Sequence, residues 1–384
     1  MEPELKLEDL GYNDFFESGR RELGLGGFLL ARVVAEYKGV YRVKGLAGEY
    51  MAKITGKQMF NAMSREDYPA VGDWVAITDL GEGRAVIHKV LPRKTIIKRK
   101  ISGRQNEIQV IAANIDVAFA VESVDSDFSL NRFERYFAIA NDGGVKMAII
   151  LNKIDLISKE NLEAKISQIK NRFGGVDLVL TSTITAAGLN ELRKYITKGK
   201  TYCFLGSSGV GKSSLINKLI GRKIITTGEI DLRTERGRHT TTAREMHFLE
   251  SGPLKSEARP SGGLPVDEAR PSGGGIVIDN PGMREVGMAD AGAGIDNFFD
   301  EIVELGRQCK FADCAHANEP GCAVQAAIKA GKLDESKYEN YANLKKEADF
   351  FQASELEKRQ KDRQFGKFLK TAKEQLKRNS HKNY

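Results

Sequence analysis

The run GSSGVGKS, Gly206–Ser213, directly follows the apolar segment TYCFL and precedes the helix-favouring SSLINKLI. A glycine-rich loop between a strand and a helix commits the surrounding chain to an α/β layer, because strand and helix must hold the loop's ends for its N–H groups to converge on a phosphate. Gly206, Gly209 and Gly211 let the backbone curl, and Ser207, Ser208 and Val210 complete the turn. Lys212 supplies positive charge to the β- and γ-phosphates, and the Ser213 hydroxyl, with Ser214 next to it, is placed to ligate Mg²⁺. The competing reading is a glycine-rich turn with no ligand.

The flanking sequence supports the α/β layer. Buried-looking strands (EIQVIAANIDVAFAVES, VKMAIILNKID, DLVLTST, GIVIDN) alternate with amphipathic helices (SLNRFERYFAIAND, NLEAKISQIKNRF), which predicts a mostly parallel sheet wrapped by helices. NKID, Asn152–Asp155, ends one strand. A carboxylate at Asp155 accepts from both N1–H and the exocyclic amine of guanine, a pair that adenine does not offer. Asn152 supports the base edge, the Lys153 stem covers the ring, and Thr181 and Ser182 of the segment TST stand where a backbone N–H meets guanine O6. DNPG, Asp279–Gly282, follows another strand: Asp279 is placed to hold the Mg²⁺ water shell and the Gly282 N–H to sense the γ-phosphate. In RGRHTTTAR, Thr241 is chosen over its neighbours to complete the Mg²⁺ shell, and His239 either orients water or faces solvent. Met283 stands where a Ras-like enzyme carries a water-orienting glutamine, which predicts slow intrinsic hydrolysis.

The order of these motifs is permuted. NKID and TST precede the phosphate loop, whereas common GTPases place the guanine-reading motif later. A circular permutation keeps the contacts and changes only where the chain is cut. Here the cut falls after DNPG, so the γ-phosphate-sensing segment runs directly into the C-terminal region.

The chain's 384 residues, 41% of them hydrophobic, leave room for more than one core. Residues 26–100 read as five short strands split by glycines, a pattern that predicts an OB-like β-barrel. Trp74 lies in one of them, as a core residue or as a platform for stacked bases. The connector Leu91–Arg104 has six basic residues and no acid, for contact with phosphate or as a solvated linker. The GTPase core is expected over 101–292 with a flexible insertion, 252–275, containing the repeat EARPSGG. Residues 1–25 form an N-terminal extension with no derivable role, 293–350 a helical domain, and 351–384 a basic helix or tail. From Glu355 to Tyr384 there are ten Lys/Arg against four Asp/Glu, much of the chain's net +7. Cys309, Cys314, His316 and Cys322 spell C-x₄-C-x-H-x₅-C, a set suited to tetrahedral structural Zn²⁺; redox chemistry or plain buried thiols compete. Cys203 reads as core.

Taken together, these residues resemble the circularly permuted GTPases of the RsgA/YjeQ family over about residues 26–350. The resemblance implies a multidomain fold: an N-terminal OB-like β-barrel, a circularly permuted P-loop α/β GTPase core and a C-terminal helical zinc-binding domain. It implies a GTPase using GTP/GDP, Mg²⁺ and one structural Zn²⁺, which binds the small ribosomal subunit and its rRNA, acts late in that subunit's maturation and hydrolyses GTP faster when bound. Lys212, Thr241 and His239 would be its catalytic residues. Three departures stand out: Asn280 where threonine or serine is usual, TST for a Ser-Ala-type loop, and the enlarged insertion. A cytoplasmic monomer with no membrane association is expected, since no apolar run approaches the ~18 residues of a membrane span. The alternatives are a nucleotide-gated RNA-binding scaffold with little turnover and a permuted GTPase acting on the large ribosomal subunit.

Overall fold

The computed structural model describes residues 5–37, 39–62, 64–100, 108–125, 128–222, 244–250, 273–280, 292–317 and 319–350. Two compact units divide the chain: Met1–Arg99 with Gln109–Val286, and Lys100–Ile108 with Gly287–Tyr384.

The first unit begins with helix α1 (Asp14–Glu22), capped by the Asn13 side chain, and continues into five strands: β1 (Leu29–Tyr37), β2 (Val40–Gly45), β3 (Gly48–Ile54), β4 (Trp74–Gly81) and β5 (Arg84–Val90). Pairing runs β1–β2–β3–β5–β4 and back to β1, antiparallel except for β3–β5, which closes a five-stranded barrel. The short helix α2 (Gly56–Asn61), capped by Thr55, lies in the β3–β4 connection. Period-2 alternation sends Val33, Val43, Val75, Ile77 and Ile87 into the barrel interior.

Trp74 and Ala76 point the other way. Trp74 is fully buried outside the barrel, in a second core with Leu10, Tyr12, Phe16, Leu25 and Leu91, so the N-terminal extension is what covers it. Its ring meets Tyr12 edge-on at 4.9 Å, an apolar seal with no face left for a base. The extension therefore has a structural role that its sequence alone did not disclose.

The basic connector also turns inward at its start. Arg93 pairs with the buried Asp73 at 2.7 Å and donates to the Glu66 and Tyr68 carbonyls, so it is neither on phosphate nor solvated. Strands β6 (Ile96–Lys100) and β7 (Ile108–Ala113) then pair as a two-stranded sheet.

Next come β8 (Val117–Ser123), α3 (Leu130–Asp142), β9 (Lys146–Asn152), α4 (Lys159–Arg172), β10 (Leu178–Thr181), α5 (Leu189–Tyr195), β11 (Thr201–Leu205), α6 (Lys212–Ile220), β12 (Glu245–Glu250) and β13 (Gly273–Asp279). The sheet order is β10-β9-β8-β11-β13-β12; all neighbours are parallel except the antiparallel pair β12–β13. Strands buried on both faces account for the continuous apolar runs in the sequence. Phe119, Ile150, Phe204 and Val277 share one core with Leu215 and Leu219 of α6 and Leu192 of α5.

Arg32 ties barrel and sheet together. Facing out of the barrel yet fully buried, its guanidinium donates to the Gly72, Asn114 and Leu10 carbonyls and to Thr201 Oγ1, at the foot of β11, at 2.8 Å. Four acceptors take the place of the water that a buried cation loses.

In the second unit, α7 (Gly292–Phe298), α8 (Asp300–Gly306), α9 (Ala323–Lys329) and helical residues 335–350 bury Ile295, Phe299, Ile302, Val324, Leu333 and Leu344. The EARPSGG insertion up to residue 272 and the tail 351–384 lie outside the described residues. Among the described residues no helix is long and apolar enough to cross a membrane.

Candidate nucleotide and metal sites

Gly206–Ser213 links the end of β11 to the start of α6, at the carboxyl edge of the parallel strands. Gly209 (φ +88°) and Gly211 (φ +98°) take left-handed conformations that turn the loop's N–H groups. Space is equally decisive: a Cβ on Gly211 would lie 2.3 Å from Asn152 Nδ2, and one on Gly206 would lie 2.4 Å from the Val121 carbonyl. Gly211→Ala is therefore expected to weaken GTP binding at least ~10-fold, because strain of about 1–2 kcal/mol adds to the displaced Asn152; titration with a fluorescent nucleotide checks it, with melting temperature to show that the fold persists.

Lys212 is buried and donates from Nζ to the Gly206 (2.7 Å) and Ser207 (2.6 Å) carbonyls, which draws the loop around its own ammonium. Burial lowers its pKa to about 8, opposed by Asp279 and Glu122. Burial likewise raises Asp279 to about 6, with Lys212 pulling it down and Glu245 pushing it up. Asp279 Oδ1 makes no hydrogen bond although it is buried. An orphaned carboxylate oxygen near a buried ammonium, with the half-buried Ser213 at the first turn of α6, suits a hydrated Mg²⁺ carrying phosphate. Asn280 is buried too, with neither amide atom bonded.

The base-reading turn forms where β9 and β10 end side by side, with Asn152 in register with Thr181. Asn152 Nδ2 donates to the Val210 carbonyl at 2.8 Å and its Oδ1 accepts from Thr181 Oγ1 at 2.9 Å, so Asn152 fastens the base-reading turn to the phosphate loop. Lys153 adopts φ 62° and pairs with Asp125 at 3.0 Å. That turn leaves Asp155 exposed on the following helical turn.

Ser182 takes a different part from the one its sequence position suggests. Its N–H is spent on the Ala187 carbonyl, and its Oγ accepts from the N–H groups of Ile184 and Thr185. It shapes the loop that follows β10. Gly188 (φ +68°) makes this possible, since a Cβ there would lie 1.7 Å from the Leu180 carbonyl.

Thr241, His239, Gly282 and Met283 lie outside the described residues. Missed by sequence reasoning were Glu122, buried and paired with Arg132 at 2.7 Å while its charge acts on Lys212, and Glu245, in register with Asp279. Neither belongs to a motif; only the strand pairing brings them to the site.

In the second unit the ligand atoms of Cys309, Cys314, His316 and Cys322 all lie within 4.8 Å of one another. Cys309 Sγ is 3.9 Å from Cys322 Sγ, and each is 3.5 Å from His316 Nδ1. Tetrahedral zinc, with Zn–S ~2.3 Å and Zn–N ~2.0 Å, sets sulfurs ~3.8 Å apart and sulfur ~3.5 Å from nitrogen. The spacings of Cys309, His316 and Cys322 match that ion, and Cys314 stands close enough to complete the set. His316 is held in its left-handed turn (φ 58°) by Gln325 Nε2 and Tyr338 Oη, which both donate to its carbonyl.

The sheet order, phosphate loop and base-reading turn define a circularly permuted P-loop GTPase preceded by a closed β-barrel. The RsgA GTPase family model matches residues 90–254. The small ribosomal subunit biogenesis GTPase RsgA 2 of Lactiplantibacillus plantarum is 37% identical over 88% of this chain and 90% of its own. RsgA 1 of Bacteroides thetaiotaomicron is 36% identical over 89% of each. The crystal structure of YjeQ from Thermotoga maritima superposes with a TM-score of 0.58 at 26% identity, covering 83% of this chain and 98% of that one. The chain belongs to the RsgA family of GTPases.

Proposed function

We propose that this protein hydrolyses GTP in the cytoplasm as a monomer, and that hydrolysis is coupled to binding and late maturation of the small ribosomal subunit through contact with its rRNA. The observation that carries this reading is likeness along nearly the whole chain, barrel and cysteine region included, to relatives named for small-subunit biogenesis. Catalysis is positioning and charge neutralisation for in-line attack by water. The Lys212 ammonium and the amides of Gly206–Ser213 carry the phosphate charge; Asp155 reads guanine; Ser213, Asp279 and Thr241 would hold Mg²⁺, and His239 would orient the attacking water. Mg²⁺ held there would supply neutralisation of the phosphate charge. One Zn²⁺ on Cys309, Cys314, His316 and Cys322 would be structural.

Steady-state phosphate release from GTP, with and without purified small subunits and beside ATP and large-subunit controls, tests the reading. Stimulation by small subunits alone is the expected result. Equal turnover under every condition refutes it.

A further inference from the structure

Glu245 belongs to two strand pairings at once. As the first residue of β12 it is in register with Asp279 of β13 on one side and with Ala35 of the barrel strand β1 on the other. Directly opposed residues of an antiparallel pair project to the same face, with Cβ atoms roughly 4.5–5.5 Å apart. Its carboxylate is therefore a near neighbour of the aspartate at the nucleotide site.

The barrel holds that carboxylate. Tyr37, the last residue of β1, donates from Oη to Glu245 Oε1 at 2.7 Å, and Arg42 Nη2 of β2 lies 3.5 Å from Oε2. Arg42 also reaches Glu49 of β3 at 3.8 Å, so a third barrel strand shares the arrangement. Successive residues of a strand point to opposite faces. Arg244, one residue before Glu245, accordingly meets Glu36, one residue before Tyr37, at 3.7 Å. The start of β12 is thus gripped on both faces by the end of β1.

We infer that Tyr37 and Arg42 are positioning residues through which the barrel and the nucleotide site sense each other, with Glu245 as the residue they share. A partner that shifts β1 and β2 changes the hold on Glu245, and with it the placement of the cross-strand neighbour of Asp279. By linkage, the nucleotide bound at the site must alter β1 and β2 in return. The inference rests on the ribosomal reading only for the identity of the partner.

Full-length protein carrying Tyr37→Phe, Glu245→Gln or both tests it by two readouts. The first is hydrogen exchange of residues 29–45 with GDP and with a non-hydrolysable GTP analogue. The native protein is expected to show a difference between the two nucleotides, and each variant to lose it while keeping its melting temperature. The second is GTP turnover with and without small subunits. Tyr37→Phe removes one hydroxyl and keeps the ring; basal turnover is expected within ~2-fold of native and stimulated turnover ~5–10-fold lower, with the double variant no worse than either single one. No nucleotide-dependent exchange in the native protein, or its persistence in both variants, overturns the inference, as does a uniform loss of protection with a lowered melting temperature. If small subunits fail to stimulate the native protein, the ribosomal reading falls, and the exchange readout alone still decides the relay.

Discussion

Lys212→Ala is expected to lower the single-turnover rate of GTP hydrolysis by about 10²–10³-fold, the usual loss when one preorganised donor to a developing oxyanion is removed. The ammonium is buried, depressed by that burial to about 8, and held by two carbonyls of its own loop. It is therefore placed before phosphate arrives, and the anion's charge returns it to the fully protonated form. The effect should fall mainly on kcat, because charge builds on the phosphoryl oxygens in the transition state. Lys212→Arg should not rescue the rate, since the planar guanidinium does not fit a pocket shaped by the Gly206 and Ser207 carbonyls. Turnover within ~10-fold of native in Lys212→Ala would remove this lysine from the phosphates.

Cys322→Ser is expected to release zinc and to unfold the second unit while guanine nucleotide affinity stays unchanged. Its thiol accepts from the Gln325 N–H at 3.4 Å, and Cys309 Sγ accepts from the Ala323 N–H at 3.4 Å, so the metal cluster and the start of α9 are one construction. The apolar core around Phe299, Val324 and Leu344 is small, and a structural zinc in so small a domain contributes about 10–16 kcal/mol of apparent binding free energy. Metal analysis together with hydrogen exchange over 292–350 checks both parts. A variant that keeps a full equivalent of zinc would assign the ion to another site.

Both predictions concern residues that sequence motifs pick out, and the reason is local. A phosphate loop must be contiguous to wrap one phosphate, and Cys309–Cys322 bring four donor side chains together through short turns; chemistry of this kind is written in spacing. The barrel was legible for a related reason, because strands of six to nine residues with inward-facing alternation have few ways to close. The mostly parallel sheet followed from apolar runs alternating with helices, and the permutation from the order of the motifs.

Alternation, however, states that a strand has two faces without saying what covers each. Trp74 shows the limit: it packs beneath the N-terminal extension, outside the barrel, because Tyr12 and Phe16 of that extension supply the apolar surface. Arg93 reads as part of a connector for phosphate or solvent until Asp73 is seen to receive it, and nothing in the sequence marks Arg32 for the carbonyls of distant segments that surround it. Ser182 reads as a base contact until Ala187 takes its N–H. The sequence by itself determined the class of chemistry, the order of the motifs and the cluster of three cysteines and a histidine, since each depends on residues close together in the chain. Only the tertiary structure decided how Glu245 joins Tyr37 to Asp279, because that depends on the register of strands more than two hundred residues apart in sequence, where no local pattern selects the partner.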